Sequence, residues 1–150
     1  MSFKIYYIHS LESKKSFIQR PGLSLLKITK ETFNQHSSLI QKSIDTFHSE
    51  IIWNEMWDIE DAEIRLSENQ ILFLLLENQT PLGHVWYDSY YLYNAYVSKE
   101  REDGDSTWFI QETMWDMKDS NKLTYIKLYV DSWNERAIKF WEKLEFIKLT

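Results

Sequence analysis

The chain has 150 residues, enough for one domain with a full hydrophobic core, and 43% of them are apolar and 27% charged. It contains no cysteine, which excludes disulfides, thiol nucleophiles and cysteine-based zinc sites. The net charge of −6 and the lack of any cluster of lysine and arginine argue against a nucleic-acid partner.

The sequence also lacks the features of a membrane or secreted protein. The longest apolar run, Ile71 to Leu76, is too short to span a bilayer, and residues 1–9 lack the apolar core of a signal peptide. We therefore expect a cytoplasmic protein without a membrane partner. The acidic balance favours a cationic, amine-bearing small partner; the alternative is that it serves only solubility.

The N-terminal third predicts two strands followed by two helices. Residues 3–8 and 23–29 have the composition of strands, and Pro21-Gly22 marks a turn before the second one. Apolar residues recur at helical spacing from Phe33 to Ile51. A shorter helix follows, for which Asp58 is the expected N-cap.

The middle of the chain predicts an antiparallel meander. Residues 71–77 form an apolar run of strand length, and the turn at 78–81 leads into a second strand at 82–87. Residues 91–97, rich in Tyr and Val, indicate a third strand.

The last third predicts a strand–helix alternation after a polar segment at 100–106. A helix is expected over 105–118, a strand over the alternating residues 124–130, and a capping box from Ser132 to Glu135 opens a helix that ends at Leu144. A short strand at 146–149 closes the chain. The order predicts one α+β domain over residues 1–150, with a mixed sheet covered by helices on both faces and an extra strand at about 3–8.

Common catalytic motifs are absent: the sequence has no GxSxG, Walker A, GxGxxG or HExxH pattern. The four histidines are scattered without metal-ligand spacing, so we expect no metal site. His84 lies near Asp88 on the second strand of the hairpin, where a structural histidine is favoured over a catalytic one.

Two segments carry the candidate chemistry. The polar loop Val97–Ser106 joins a strand to a helix start, where Gly104 would let the backbone approach a phosphate at the positive end of the helix dipole. Such loops are also common without any ligand. The second segment is a helix whose first turn contains Asn134, followed by Ala137.

Together, in this order, the two segments resemble the GNAT acyltransferase family. The family's Arg/Gln-x-x-Gly-x-Gly/Ala motif is similar to Arg101-Glu-Asp-Gly104-Asp-Ser106, with Ser in the last small position. Its Asn-x-x-Ala and Phe-Tyr-Glu-Lys-Leu-Gly-Phe segment is similar to Asn134-Glu-Arg-Ala137 and Phe140-Trp-Glu-Lys-Leu-Glu-Phe146.

The resemblance implies an N-acetyltransferase with acetyl-coenzyme A as co-substrate. A neutral amine of a small molecule or peptide would attack the thioester directly, a reaction that needs proximity and a route for the amine proton. The residues that the resemblance places at the coenzyme are Tyr96, Val97, Arg101, Asp103, Gly104, Ser106, Asn134 and Trp141.

The sequence departs from the family pattern in three ways. Trp141 stands where the family has a Tyr that protonates the leaving thiolate, and Tyr129, Tyr96 or water could replace that acid. Glu145 replaces a Gly. The phosphate loop also carries four acidic residues, which would weaken phosphate binding if they faced the ligand. We expect their side chains to point outward, because the variable positions of the motif tolerate many residues. The four acidic residues are Glu100, Glu102, Asp103 and Asp105.

The amine acceptor is expected between the two N-terminal helices and the hairpin. An aromatic and acidic cleft there would suit a cation, and the alternative is that the tryptophans are core. The proposed lining residues are Trp53, Trp57, Trp86 and Tyr87, near Glu55 and Asp58. Asp88 and His84 are candidate proton acceptors. The rival hypotheses are a GNAT-shaped binding module without catalysis and a structural dimer.

The chain ends also carry a prediction about the sheet. The resemblance implies one more strand after Phe146, between the two strands that flank the last helix, and the sequence has no residues left for it. We expect the strand at 3–8 to occupy that place, in the same chain or across a homodimer. The alternative is that it extends the sheet beside residues 23–29.

Overall fold

A mixed sheet with helices on both faces organises the chain. The computed structural model describes residues 3–12, 14–51, 56–98 and 104–149. The elements of these residues, in chain order, are β1 (Lys4–His9), β2 (Leu23–Ile28), α1 (Phe33–Phe47), α2 (Ile59–Ser67), β3 (Ile71–Glu77), β4 (Thr80–Asp88), β5 (Tyr91–Val97), α3 (Asp105–Asn121), β6 (Ile126–Asp131), α4 (Glu135–Lys143) and β7 (Ile147–Lys148).

Within the described residues the sheet has seven strands in the order β2-β3-β4-β5-β6-β1-β7. Neighbouring strands are antiparallel except β5 and β6, which are parallel. β1 lies between β6 and β7 and pairs with β6 from Lys4 opposite Asp131 to His9 opposite Ile126. The prediction that the N-terminal strand fills this place is confirmed, and the pairing is made within one chain.

Each face of the sheet packs on a pair of helices. Tyr7, Val85 and Tyr87 belong to the core beneath α3 and α4, whereas Leu74 and Trp86 belong to the core beneath α1 and α2. Because neighbouring residues of a strand point to opposite faces, β4 contributes to both cores in alternation.

The helix ends differ in how well the sequence predicted them. At α2 the predicted cap is confirmed: the Asp61 amide donates to the Asp58 carboxylate at 2.8 Å, and Asp61 accepts from the Asp58 amide in return. α1 ends at Phe47, earlier than the helical spacing up to Ile51 predicts. In the described part of the chain, no helix has both the length and the apolar character needed to cross a bilayer.

Candidate functional site

A cavity of about 340 Å³ lies between the end of β5, the first turns of α3, and α4. From β5 and α3 it is lined by Ala95, Tyr96, Val97, Ser106 and Ile110. From α4 and the turn before it, it is lined by Trp133, Asn134, Arg136, Ala137, Phe140 and Trp141. Its volume falls within the range of about 300–1,000 Å³ that is usual for small-molecule sites.

The cavity exists because β5 and β6 diverge. In the described residues the two strands pair where Tyr91 lies opposite Lys127, and the Lys127 amide donates to the carbonyl of Tyr90 at 2.8 Å. Residues 95–97, farther along β5, face the cavity where a longer β6 pairing would otherwise lie. The diverging strands therefore form a gap that a ligand backbone can occupy like an added strand.

A β-bulge and a glycine shape the end of β5. Trp86 lies opposite Tyr93 and His84 opposite Tyr96, so Asn94 and Ala95 share a single partner on β4. Asn94 has a φ of +50°, and such a bulge bends the strand. At the next pair, a Cβ on Gly83 would lie 2.7 Å from the carbonyl oxygen of Tyr96, so only glycine fits this approach.

The N-terminus of α3 points its first turn at the cavity. Gly104 is the N-cap with a φ of +93°, a left-handed conformation that favours glycine, and it has no side chain to cap the helix. The first helical hydrogen bond, from the Trp108 amide, goes to the Gly104 carbonyl at 3.0 Å. Ser106 lines the cavity from this turn. The positive end of the helix dipole is the feature that suits an anion here.

The expectation that the loop acids point outward is wrong for Asp105. Its side chain is 1% exposed and accepts two hydrogen bonds from the Arg20 guanidinium, at 2.9 and 2.6 Å. Arg20 also reaches Glu77 at 2.6 Å. The bidentate contact turns this carboxylate into the protein and joins residue 20 to the start of α3, so it does not face an incoming phosphate. Glu100, Glu102 and Asp103 lie outside the described residues.

Asn134, not Ser132, caps α4. The Asn134 side-chain oxygen accepts from the Ala137 amide at 3.1 Å, whereas the Ser132 hydroxyl oxygen accepts from the Phe3 amide at 3.1 Å. The predicted capping box is therefore wrong, because Ser132 is used to hold the start of β1. Since the Asn134 oxygen is engaged, the amide nitrogen is the group by which this side chain can serve a ligand.

The structure brings together most of the residues that the sequence assigned to the coenzyme. Tyr96, Val97, Ser106, Asn134 and Trp141 line one cavity. Gly104 begins the helix that carries Ser106 to it. Arg101 and Asp103 lie outside the described residues, as do Trp53 and Glu55 of the predicted acceptor cleft.

Tyr129 and Asp88 do not line the cavity. Tyr129 is 46% exposed, and its ring lies 5.7 Å from the ring of Tyr6 at a tilt of 53°, on the sheet face opposite the core that contains Leu128. Asp88 is exposed at the end of β4 that pairs with Tyr91, roughly 17 Å along the strand from Gly83. Asp88 therefore cannot reach a group held beside residues 95–97, and Tyr129 is not one of the residues that line the cavity.

His84 is a buried aromatic neighbour and not a base. It is 1% exposed and lies against the rings of Trp57 at 5.1 Å, Phe47 at 5.7 Å and Tyr96 at 6.1 Å. Burial, and secondarily the charge of Arg65, lowers the pKa of His84 to about 3. The imidazole is thus neutral at physiological pH and holds a proton too weakly to act as the proton acceptor.

Three of the residues predicted for the acceptor cleft, Trp57, Trp86 and Tyr87, are core residues. Trp57 is 4% and Trp86 0% exposed, and they pack edge to face at 5.3 Å beneath α1 and α2. Tyr87 is buried in the other core, where its hydroxyl donates to Asp116 at 2.8 Å. Burial and this carboxylate raise the pKa of Tyr87. For Trp57 and Trp86 the alternative interpretation, that the tryptophans belong to the core, is confirmed.

Arg136 is the functional candidate that the sequence analysis missed. It lines the cavity from the first turn of α4, two residues after Asn134. Its position between Asn134 and Ala137 could have identified Arg136 from the sequence, because a cation in this turn can face the same ligand as Asn134. A guanidinium suits phosphate oxygens by geometry as well as charge.

The comparisons with known proteins support the fold. No protein-family model and no curated protein matches the sequence. The chain is similar to an aminoglycoside acetyltransferase from an uncultured soil metagenomic sample, solved with sisomicin, at a TM-score of 0.60 and 16% identity; the match covers 81% of this chain and 86% of that chain.

Two further solved structures agree with this assignment. The chain is similar to a tandem GNAT protein from the clavulanic acid biosynthesis pathway (TM-score 0.63, 9% identity, 95% of this chain and 49% of that chain). It is also similar to a GCN5-related N-acetyltransferase from Sphaerobacter thermophilus (TM-score 0.58, 11% identity, 86% of this chain and 42% of that chain). The chain has the GNAT acyltransferase fold, a fold that by itself does not determine the activity.

Proposed function

We propose that this chain is an acetyl-coenzyme A-dependent N-acetyltransferase that moves an acetyl group to a primary amine. The observation that carries the proposal is the cavity at the divergence of β5 and β6. There a strand end, a helix N-terminus and the Arg136 side chain border one space of about 340 Å³. These three features suit the amide-bearing arm and the phosphates of a coenzyme A thioester.

The described residues fit each part of that molecule. The pantetheine amides can pair with the backbone of residues 95–97 in the manner of an added strand. The phosphates suit the N-terminus of α3, where Gly104 has a left-handed backbone, together with the Arg136 guanidinium. The amide nitrogen of Asn134 supplies a further donor.

The protein promotes the reaction chiefly by holding the thioester and the amine close together. A coenzyme held along β5 has its thioester at the gap between the strands, where a neutral amine can attack it without a covalent enzyme intermediate. The leaving thiolate takes its proton from water, because the Tyr96 hydroxyl donates to Glu50 at 2.8 Å and its ring packs on Phe47. The apolar side chains of Ile110, Phe140 and Trp141 exclude water from the arm.

The acceptor is a small molecule or peptide that presents a primary amine. The net charge of −6 favours a cationic molecule, and a similar structure was solved with the aminoglycoside sisomicin. Because Trp57 and Trp86 are buried in the core, the acceptor does not bind between these two rings.

A second candidate is a binding module that holds coenzyme A without transferring the acyl group. The observation that favours it is the indole of Trp141 in the cavity wall, at the position where the family motif has a tyrosine. An indole N–H is not an acid that can protonate a leaving thiolate.

One assay separates the two candidates. The protein is mixed with acetyl-coenzyme A and a panel of amines (sisomicin, spermidine and a lysine-containing peptide), and the free thiol released is followed with a thiol reagent. We expect release that depends on both the protein and an amine. Binding of coenzyme A in a parallel calorimetric titration, without thiol release from any amine, supports the binding module and contradicts the transferase.

A further inference from the structure

The Glu50 carboxylate forms hydrogen bonds with two residues at the end of β5, on the face of the sheet that α1 covers. Glu50 lies in the turn after α1, where its amide donates to the Phe47 carbonyl at 3.0 Å. One of its carboxylate oxygens accepts from the Tyr96 hydroxyl at 2.8 Å and from the Ser98 hydroxyl at 3.2 Å. Two hydroxyl donors therefore hold the carboxylate in place through one of its oxygens.

This carboxylate lies across β5 from the cavity. Tyr96 and Val97 border the cavity, whereas the Tyr96 ring lies on the α1 face, 5.3 Å from the ring of Phe47. Glu50 is thus level with the divergence of β5 and β6, on the face opposite α3 and α4.

The other polar side chains of this face do not provide a base. The neutral His84 and the indoles of Trp57 and Trp86 are buried among rings. Tyr93 keeps its proton, because burial raises its pKa to about 12. Asp88 is too far along β4. Among the described residues at the end of β5, Glu50 is half-buried and ionisable, and hydroxyl groups hold its side chain in place.

We propose that Glu50, positioned by the hydroxyls of Tyr96 and Ser98, receives the acceptor amine and takes its proton during acetyl transfer. This inference rests on the proposed function and adds the catalytic residue and the face of entry. The acceptor reaches the gap from the α1 side, while coenzyme A occupies the α3 and α4 side. Neither the family pattern nor the sequence analysis assigned this role to Glu50.

The proton balance is complete with the groups named. The nitrogen lone pair of R–NH₂ forms a C–N bond with the thioester carbonyl carbon, and the nitrogen becomes acidic as this bond forms. Its proton passes to the Glu50 carboxylate, and the C–S bond breaks with the electron pair on sulfur. The thiolate takes a proton from water and Glu50 returns one, so the products are the N-acetyl amide and coenzyme A.

The test compares Glu50→Gln and Glu50→Ala with Glu63→Gln, a matched loss of an exposed carboxylate on α2. The substrate is the amine of the panel that the wild type acetylates fastest. We expect both Glu50 variants to lose about 10²–10⁴-fold in kcat/KM, the usual contribution of general-base catalysis, with the Kd for coenzyme A unchanged. The Glu63→Gln variant should match the wild type.

Chemical rescue distinguishes catalysis from structure. Sodium formate should raise the rate of Glu50→Ala, because formate can occupy the vacated carboxylate position, whereas sodium chloride at the same concentration should not. Full activity in Glu50→Gln, loss of coenzyme A affinity in either variant, or no rescue by formate overturns the inference while the wild type still transfers acetyl. A wild type that acetylates no amine of the panel overturns the proposed transferase and this inference with it.

Discussion

The two halves of the sheet are assembled in different ways. Strands β2 to β5 are consecutive in the chain and pair in sequence order, whereas β6, β1 and β7 come from both ends of the chain. In the described residues the halves meet where Tyr91 pairs with Lys127, and the cavity lies just beyond that pair. The candidate site therefore lies at the junction of the two halves, and its shape depends on the correct folding of both.

Deletion of residues 1–12 should have the largest effect, because it removes the middle strand of the second half. β1 pairs with β6 along its whole length and with β7 on its other side, so its loss exposes the backbone groups of both neighbours. We expect the truncated protein to be unfolded, or to melt more than about 10 °C lower, in a thermal scan followed by circular dichroism.

A control for the deletion is Ile18→Ala, which changes a side chain that is 87% exposed in the segment between β1 and β2. It should melt with the wild type. A truncated protein that melts within a few degrees of the full chain would mean that the second half does not need β1.

Gly83→Ala, a change in β4 of the first half, should displace the end of β5 at the junction. The new Cβ would lie 2.7 Å from the Tyr96 carbonyl oxygen, so the end of β5 must move. We expect a loss of about 1–3 kcal/mol in the free energy of unfolding, the usual cost of overpacking, and weaker binding of coenzyme A. Urea unfolding and calorimetry measure the two effects.

Gly22→Ala is the matched control for that variant. Gly22 has a φ of +89° and its Cβ would meet the side chain of Asn78, away from the cavity. It should therefore cost stability because of backbone strain but keep the coenzyme A affinity of the wild type. Equal affinities in the two variants would show that the shape of the junction does not govern binding.

The pH dependence of stability tests whether His84 is buried in the core beneath α1 and α2. Burial holds the pKa of His84 at about 3, below its ordinary value of 6.5, so the unfolded chain binds more protons between these values and stability falls as the pH drops below about 6.5. Between pH 7 and pH 5 this amounts to about 2 kcal/mol. His84→Gln should lose less stability over this interval than the wild type by that amount.

His48→Gln, which changes an exposed histidine, serves as the reference for this experiment. Its stability should fall with pH as the wild type's does. If His84→Gln and the wild type also follow parallel curves, His84 is not held neutral in the core.

Local patterns in the sequence predicted most of the elements. β3 and β5 occupy the predicted residues, because an apolar run and a stretch rich in Tyr and Val are strong strand signals. The place of β1 between β6 and β7 was predicted from the resemblance to the GNAT family. These features depend on nearby residues or on the order of elements.

Features that depend on contacts between distant residues were not predictable. The pairing of Arg20 with Asp105 joins positions 85 apart, and nothing local distinguishes this carboxylate from its acidic neighbours. Ser132 and Asn134 both suit a helix cap, and the contact of Ser132 with Phe3 decides between them. Trp86 was assigned to an open cleft because an aromatic side chain has the same sequence pattern in a core and in a binding site.

The central claim is that the junction of the two halves binds acetyl-coenzyme A. A calorimetric titration of the wild type and of Ala95→Trp, which places an indole in the cavity, tests it most directly; Ser38→Trp on the exposed side of α1 is the control. We expect saturable binding to the wild type and to the control, and an affinity at least about tenfold lower for Ala95→Trp. Absence of binding to the wild type, or equal binding to Ala95→Trp, would contradict the claim.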